Sequence, residues 1–148
     1  MALLTFTGVA RAEHPVSVAC TTYESLRDVL TKRYNEHPVG HGLGQDAFDR
    51  KNILFELFVS LEGKKSWTMI AVFTDHACMF AFGEGWAVAN SGGGDGITMY
   101  GPVSLSINVE GGWEFFVMSN RGRIVWASGD KWEPGAHIAI PERTNTAI

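Results

Sequence analysis

The stretch Asn52–Asn90, NILFELFVSLEGKKSWTMIAVFTDHACMFAFGEGWAVAN, decides the fold. Four apolar runs stand in it: ILFELFVSL, SWTMIAVF, ACMFAF and WAVAN. The breaks between them, EGKK, TDH and GEG, are short, polar or glycine-containing. Runs of this length, rich in Phe, Val, Ile and Trp, read as strands joined by hairpins. Period-two alternation puts Leu54, Glu56, Phe58 and Ser60 on one face, with Phe55, Leu57, Val59 and Leu61 on the other. One face is then almost wholly apolar and the other mixed, the pattern of a sheet with one side packed on a core.

Upstream, Ala2–Ala10 and Val16–Ala19 read as short strands. A helix is predicted from about Thr22 to Asn35, ending before Pro38. Thr21 and Glu24 have capping-box spacing, and Tyr23, Leu26, Leu30 and Tyr34 recur on one face, with Val29 widening the stripe. HPVGHGLGQDAFDRK (37–51), with three glycines and a proline, reads as a long loop. Downstream, NSGGGDG (90–96) reads as a flexible turn, followed by strands over Ile97–Tyr100, Val103–Val109, Trp113–Met118 and Arg123–Ala127. Trp132–Pro134 reads as a turn, His137–Ile140 as a last strand, and the closing residues as a loose tail. The expected fold is a single α+β domain over 1–148, its one N-terminal-half helix packed on a curved, mainly antiparallel, multi-stranded sheet. The alternative is a small β-sandwich or barrel carrying one helix.

The chain has 148 residues, of which 45% are hydrophobic and 19% charged, and a net charge of −4. That length buries roughly two-thirds of the unfolded surface, so neither disulfide nor metal is required for a core. The negative balance argues against phosphate-backbone binding and suits a basic protein partner. No run reaches the roughly 20 apolar residues of a membrane span, and MALLTFTGVARAEH lacks the basic start of a leader. A cytoplasmic protein, with no nucleic-acid or membrane partner, is the expectation.

Chemistry is sparse. His37 and His41 invite a metal, but Pro38 and Gly40 between them remove the helical geometry that would aim both rings at one ion, so neither metal nor cofactor is expected. Cys20 ahead of the helix has the posture of an activated thiol, with His76 as its base. A buried, inert cysteine is the plainer reading, and a bridge between the two cysteines, Cys20 and Cys78, is open. SGGGDG lacks the Lys-Ser/Thr of a phosphate loop. The five tryptophans suit a core, an interface or the lining of a small-molecule-binding barrel.

HPVSVACTTYESLRDVL (14–30) as strand into helix, LFELFVSLEG…SWTMIAVF as a hairpin, GWAVANSGGGDGITMY (85–100) and EFFVMSNRGRIVW (114–126) together resemble the Imm1-like bacterial immunity proteins. The resemblance implies an antitoxin that neutralises a toxin by direct binding, without catalysis. The closing segment departs from that family, since Gly111, Gly112 and WEFFV favour strand over helix, and the residues after Trp126 are extra.

The reading is therefore an inhibitor acting by protein–protein contact on a basic toxin domain, in preference to an enzyme. Contact residues are expected in two irregular segments: His37, His41 and Asp46 in one, Glu84, Trp86 and Asp95 in the other. The alternatives are an enzyme using Cys20 and His76, and a ligand-binding barrel.

Overall fold

The computed structural model describes residues 20–91, 94–98, 103–119 and 122–136. The strands expected over 2–10, 16–19 and 137–140 and the tail lie outside them. The elements are β1 (Cys20–Thr21), α1 (Tyr23–Asp28) continuing as a π turn (Val29–Arg33), β2 (His37–Asp46), β3 (Ile53–Val59), β4 (Trp67–Val72), β5 (Ala77–Gly83), β6 (Ala87–Ser91), β7 (Gly94–Thr98), β8 (Val103–Asn108), β9 (Trp113–Ser119) and β10 (Gly122–Pro134). All described strands form one antiparallel sheet in the order β1-β5-β4-β3-β2-β10-β9-β8-β7-β6. Two meanders, β2–β5 and β6–β10, are joined where β2 pairs with β10. The sheet is not closed: among the described residues, β1 pairs only with β5 and β6 only with β7.

The order imposes a geometric condition. β5 and β6 stand eight strand spacings apart, about 38 Å in a flat sheet at ~4.8 Å each. Glu84–Trp86 joins them, a three-residue link reaching at most about 14 Å. The two ends of the sheet therefore lie near each other. Ring contacts agree. Phe80 on β5 lies 6.0 Å from Phe115 on β9 and 5.5 Å from Trp126 on β10. Trp67 on β4 lies 6.2 Å from Phe115.

These rings belong to the inner core, built from Phe55, Leu57, Trp67, Met69, Phe115, Trp132 and their neighbours. The other face of β3–β5 has its own core, in which Tyr23, Leu26 and Leu30 of the helical segment meet Leu54, Phe58, Ile70 and Val72. β3 is thus buried along its whole length, and neither of its faces is solvated. Its mixed face hides Glu56, fully buried, which accepts a 2.6 Å hydrogen bond from the Tyr23 hydroxyl. Burial, with the Glu56 charge second, pushes that hydroxyl well above the usual phenol range.

Several expectations shift. Thr22, not Thr21, caps the helix, accepting from the Ser25 amide at 3.1 Å. The π turn widens the last part of the helix, and Tyr34, expected on the buried stripe, is exposed together with Val29. The predicted turn at 132–134 is instead the end of β10.

The largest correction is 37–51, whose first ten residues form β2 rather than a loop. Gly40, Gly42 and Gly44 recur at period two and face inward. A Cβ at Gly42 would meet Trp113 Nε1 at 2.7 Å, and one at Gly44 would meet Trp113 Cζ2 at 2.8 Å. At Gly40 the Trp132 indole occupies the place of a side chain. The glycines are a groove for two indoles, and β2 pairs with β3 on one side and β10 on the other.

Candidate functional site

With the even-numbered glycines inward, β2 turns Val39, His41, Leu43 and Gln45 to the opposite face. The helical segment covers the neighbouring face of β3–β5. The outward side of β2 and β10 instead forms an open groove of about 790 Å³, lined by His41, Leu43, Gln45, Lys51, Leu54 and Lys131, with Asp130 and Glu133 also on its wall. Leu43 is 56% exposed although its strand is paired on both sides. Single exposed apolar residues are ordinary, but Val39 on the same face is exposed too, and Phe48 follows on the next turn at 66%.

That turn is built by Asp46. Its Oδ1 accepts from the Phe48 and Arg50 amides at 2.9 and 3.0 Å, and its Oδ2 lies 2.6 Å from Arg50 Nε. Asp49 and Asn52 adopt positive φ, 63° and 62°, a conformation that Asp and Asn tolerate better than most residues. The Arg50 guanidinium then lies 5.9 Å from the Phe48 ring centre and 5.7 Å from that of Phe73. Phe73 stacks on His76 at 4.8 Å, and His76 Nδ1 is 2.6 Å from Asp75 Oδ1. The hydrogen bond from His76 holds the Asp75 carboxyl below its usual range. Phe48, Arg50, Phe73 and His76 are thus one continuous array at this end of the sheet.

The sequence-predicted contact residues divide. His41 lies on the groove, with Nδ1 3.1 Å from the Gly135 carbonyl and so its donor. His37, exposed, donates from Nε2 to Asn35 Oδ1 at 3.2 Å. Four residues of strand, about 13 Å, separate the two histidines, beyond the reach of one ion. Asp46 is buried, and its carboxylate is committed to the turn. Glu84 is exposed on the β5–β6 link. Trp86 is half-buried; its indole N–H donates to the Ser60 carbonyl at 2.7 Å, and Lys65 Nζ sits 5.3 Å over its ring. It pins the link to the β3–β4 turn. Asp95 lies within β7, in register with Asn90 and Ile107. The two segments expected to be irregular are therefore largely strand: β2 over His37–Asp46, and Asp95 in β7, with Glu84 and Trp86 on the short β5–β6 link.

Cys20 and His76 do line one cavity, together with Cys78 and Arg50. Cys20, however, is bonded to Cys78, with S–S 2.03 Å. A sulfur in a disulfide has no thiolate to offer, so the cysteine-nucleophile reading fails in this state. Sequence reasoning missed Phe48, Arg50 and Phe73. The available signal was Asp46 two residues before Phe48 and four before Arg50, the spacing of a carboxylate-closed turn.

Away from the groove, Glu36 is only 2% exposed. Burial raises its carboxyl above the ordinary range, partly offset by hydrogen bonds from Ser66 and Thr68, and its Oε1 has no hydrogen-bond partner among the described residues. Among the described residues no group of three or more His, Cys, Asp or Glu is placed to hold a metal, and no helix is long and apolar enough to cross a membrane. No family model, curated protein or solved structure matches the chain.

Proposed function

We propose that this chain acts by binding another protein, as an immunity or inhibitor protein that neutralises a toxin by direct contact, and that the outward face of β2 with its following turn is the contact surface. The observation that carries the reading is Leu43, exposed on a strand paired along both edges, in line with Val39 and followed by Phe48. An apolar stripe rimmed by Lys51, Asp130, Lys131 and Glu133 has the composition of an interface: apolar centre, charged margin. Arg50, held between two phenyl rings and tied by Asp46, is a preorganised anchor of the kind that dominates binding energy.

We read the sheet as strongly curved around the inner core, which turns the grooved β2–β10 face outward and leaves it accessible to a partner. The net charge of −4 favours rapid capture of a basic domain. The working compartment in this proposal is the cytoplasm. The rings of Phe55, Phe80, Trp113 and Trp132 pack on one another at 5.2–5.5 Å, which weighs against an interior ligand cavity.

The test is affinity capture from native host lysate with the tagged chain, followed by reconstitution from purified components. A stoichiometric partner that binds the wild type and not Leu43→Asp is expected. Failure to capture a stoichiometric partner, or a partner indifferent to Leu43→Asp, contradicts the proposal.

A further inference from the structure

The Cys20–Cys78 bridge lies at the edge of the sheet, joining directly opposed residues of β1 and β5. β1 has two residues, so the bridge and that short pairing tie it to the sheet. Cys20 is exposed and Cys78 half-buried. Both line a cavity of about 360 Å³ whose wall includes Arg50, Phe73, His76 and Phe80. Two nitrogen-bearing side chains from two turns thus share this cavity with the disulfide, and each is fixed: Arg50 by Asp46, His76 by Asp75 and by its stack on Phe73. The contact surface on β2 requires neither the bridge nor His76.

We propose that this bridge is a thiol–disulfide exchange site that takes an anionic low-molecular-weight thiol of the glutathione class in the cavity beside Arg50 and His76. The thiol's carboxylates complement the guanidinium, and its thiolate attacks the sulfur of Cys20, the more exposed of the two residues. The S–S bond breaks, a mixed disulfide forms on Cys20, and Cys78 leaves as a thiolate. The Arg50 guanidinium meets that charge, with the His76 imidazole on the same cavity wall, which favours departure because a stabilised thiolate is the better leaving group. A second thiol then attacks the small-molecule sulfur of the mixed disulfide. It releases the oxidised small-molecule disulfide and leaves Cys20 and Cys78 as thiols. Two electrons pass from two thiols to the bridge, and their two protons end on the cysteines. β1 then keeps its two-residue pairing with β5 but loses the covalent tie.

The experiment incubates the oxidised full chain with reduced glutathione across a urea series below the unfolding transition, quenches with acid, alkylates, and maps adducts by mass spectrometry. The expected result is a mixed disulfide on Cys20, at a rate proportional to glutathione and unchanged by low urea. His76→Gln, on an exposed turn, is expected to slow it by about threefold or more, while Arg50→Lys retains more of the rate than Arg50→Gln. A rate that climbs with the unfolded fraction, an adduct on Cys78, or indifference to His76→Gln overturns the assignment.

Discussion

Asp46 Oδ2 and Arg50 Nε stand 2.6 Å apart across a four-residue turn, the carboxylate almost wholly buried and the guanidinium half-exposed. The pair fixes the chain between β2 and β3 so that Phe48 projects into solvent and Arg50 lies between two rings. Asp46→Ala removes the acceptor for two amides and one guanidinium. A loss of about 1–3 kcal/mol in urea unfolding is expected, with weaker partner binding as the turn loosens. Asp46→Asn keeps the Oδ1 acceptor and should lose less.

Glu36 gives a pH dependence with a definite sign. Burial raises its folded-state carboxyl above the unfolded value. Its contribution to stability is therefore complete below the unfolded value, ~4.3, and is lost as pH rises through the folded one. Glu36→Gln carries no such loss. The variant should be the more stable protein at pH 7 in urea titrations, and its advantage should vanish near pH 4.

The four strands over 53–91 were legible because Phe, Ile, Val and Trp runs alternate with turn chemistry, but the hairpin read at GEG (83–85) is not one: β5 and β6 do not pair and stand eight strands apart in the sheet order. The helical stripe was legible through Tyr23, Leu26 and Leu30 and misread at Tyr34, because a π turn changes the angular step that periodicity assumes. β2 was misread for a different reason. Glycine is a loop signal by propensity, yet Gly40, Gly42 and Gly44 serve tertiary packing, making room for Trp113 and Trp132 from strands some 70 to 90 residues away. No local rule sees that. The proposed contact surface inherited the error: His41, named from the sequence, lines its groove, but Leu43 was not named, since its exposure follows from glycines turning the other face inward, nor was Phe48 on the turn that follows.

Steric fit at those glycines is directly testable. Gly44→Ala sets a Cβ against the Ser128 backbone as well as Trp113, whereas Gly42→Ala meets the Trp113 indole at 2.7 Å and the Lys131 carbonyl at 2.9 Å. Both should lose about 1–3 kcal/mol by chemical denaturation, Gly44→Ala the more because less around it can yield.

Removing the bridge has a separate cost. Cys20 and Cys78 are 58 residues apart, and releasing a loop of that length costs about 4 kcal/mol in the chain-entropy account. The double variant Cys20→Ser/Cys78→Ser should unfold at correspondingly lower urea. Its partner affinity should be unchanged under native conditions, since Arg50, which shares a cavity with the bridge, is held by Asp46 and by its packing against Phe48 and Phe73 rather than by the bridge.

The most direct test of the account is titration calorimetry of the captured partner against four forms of the chain: wild type, Leu43→Asp, Phe48→Ala and Val88→Asp. Val88 is as exposed as these residues but lies on β6, at the far edge of the sheet. Binding weakened about 30-fold or more by Leu43→Asp and by Phe48→Ala, with Val88→Asp near wild type, is the expected result. Equal binding by wild type and Leu43→Asp, or a loss confined to Val88→Asp, would contradict it.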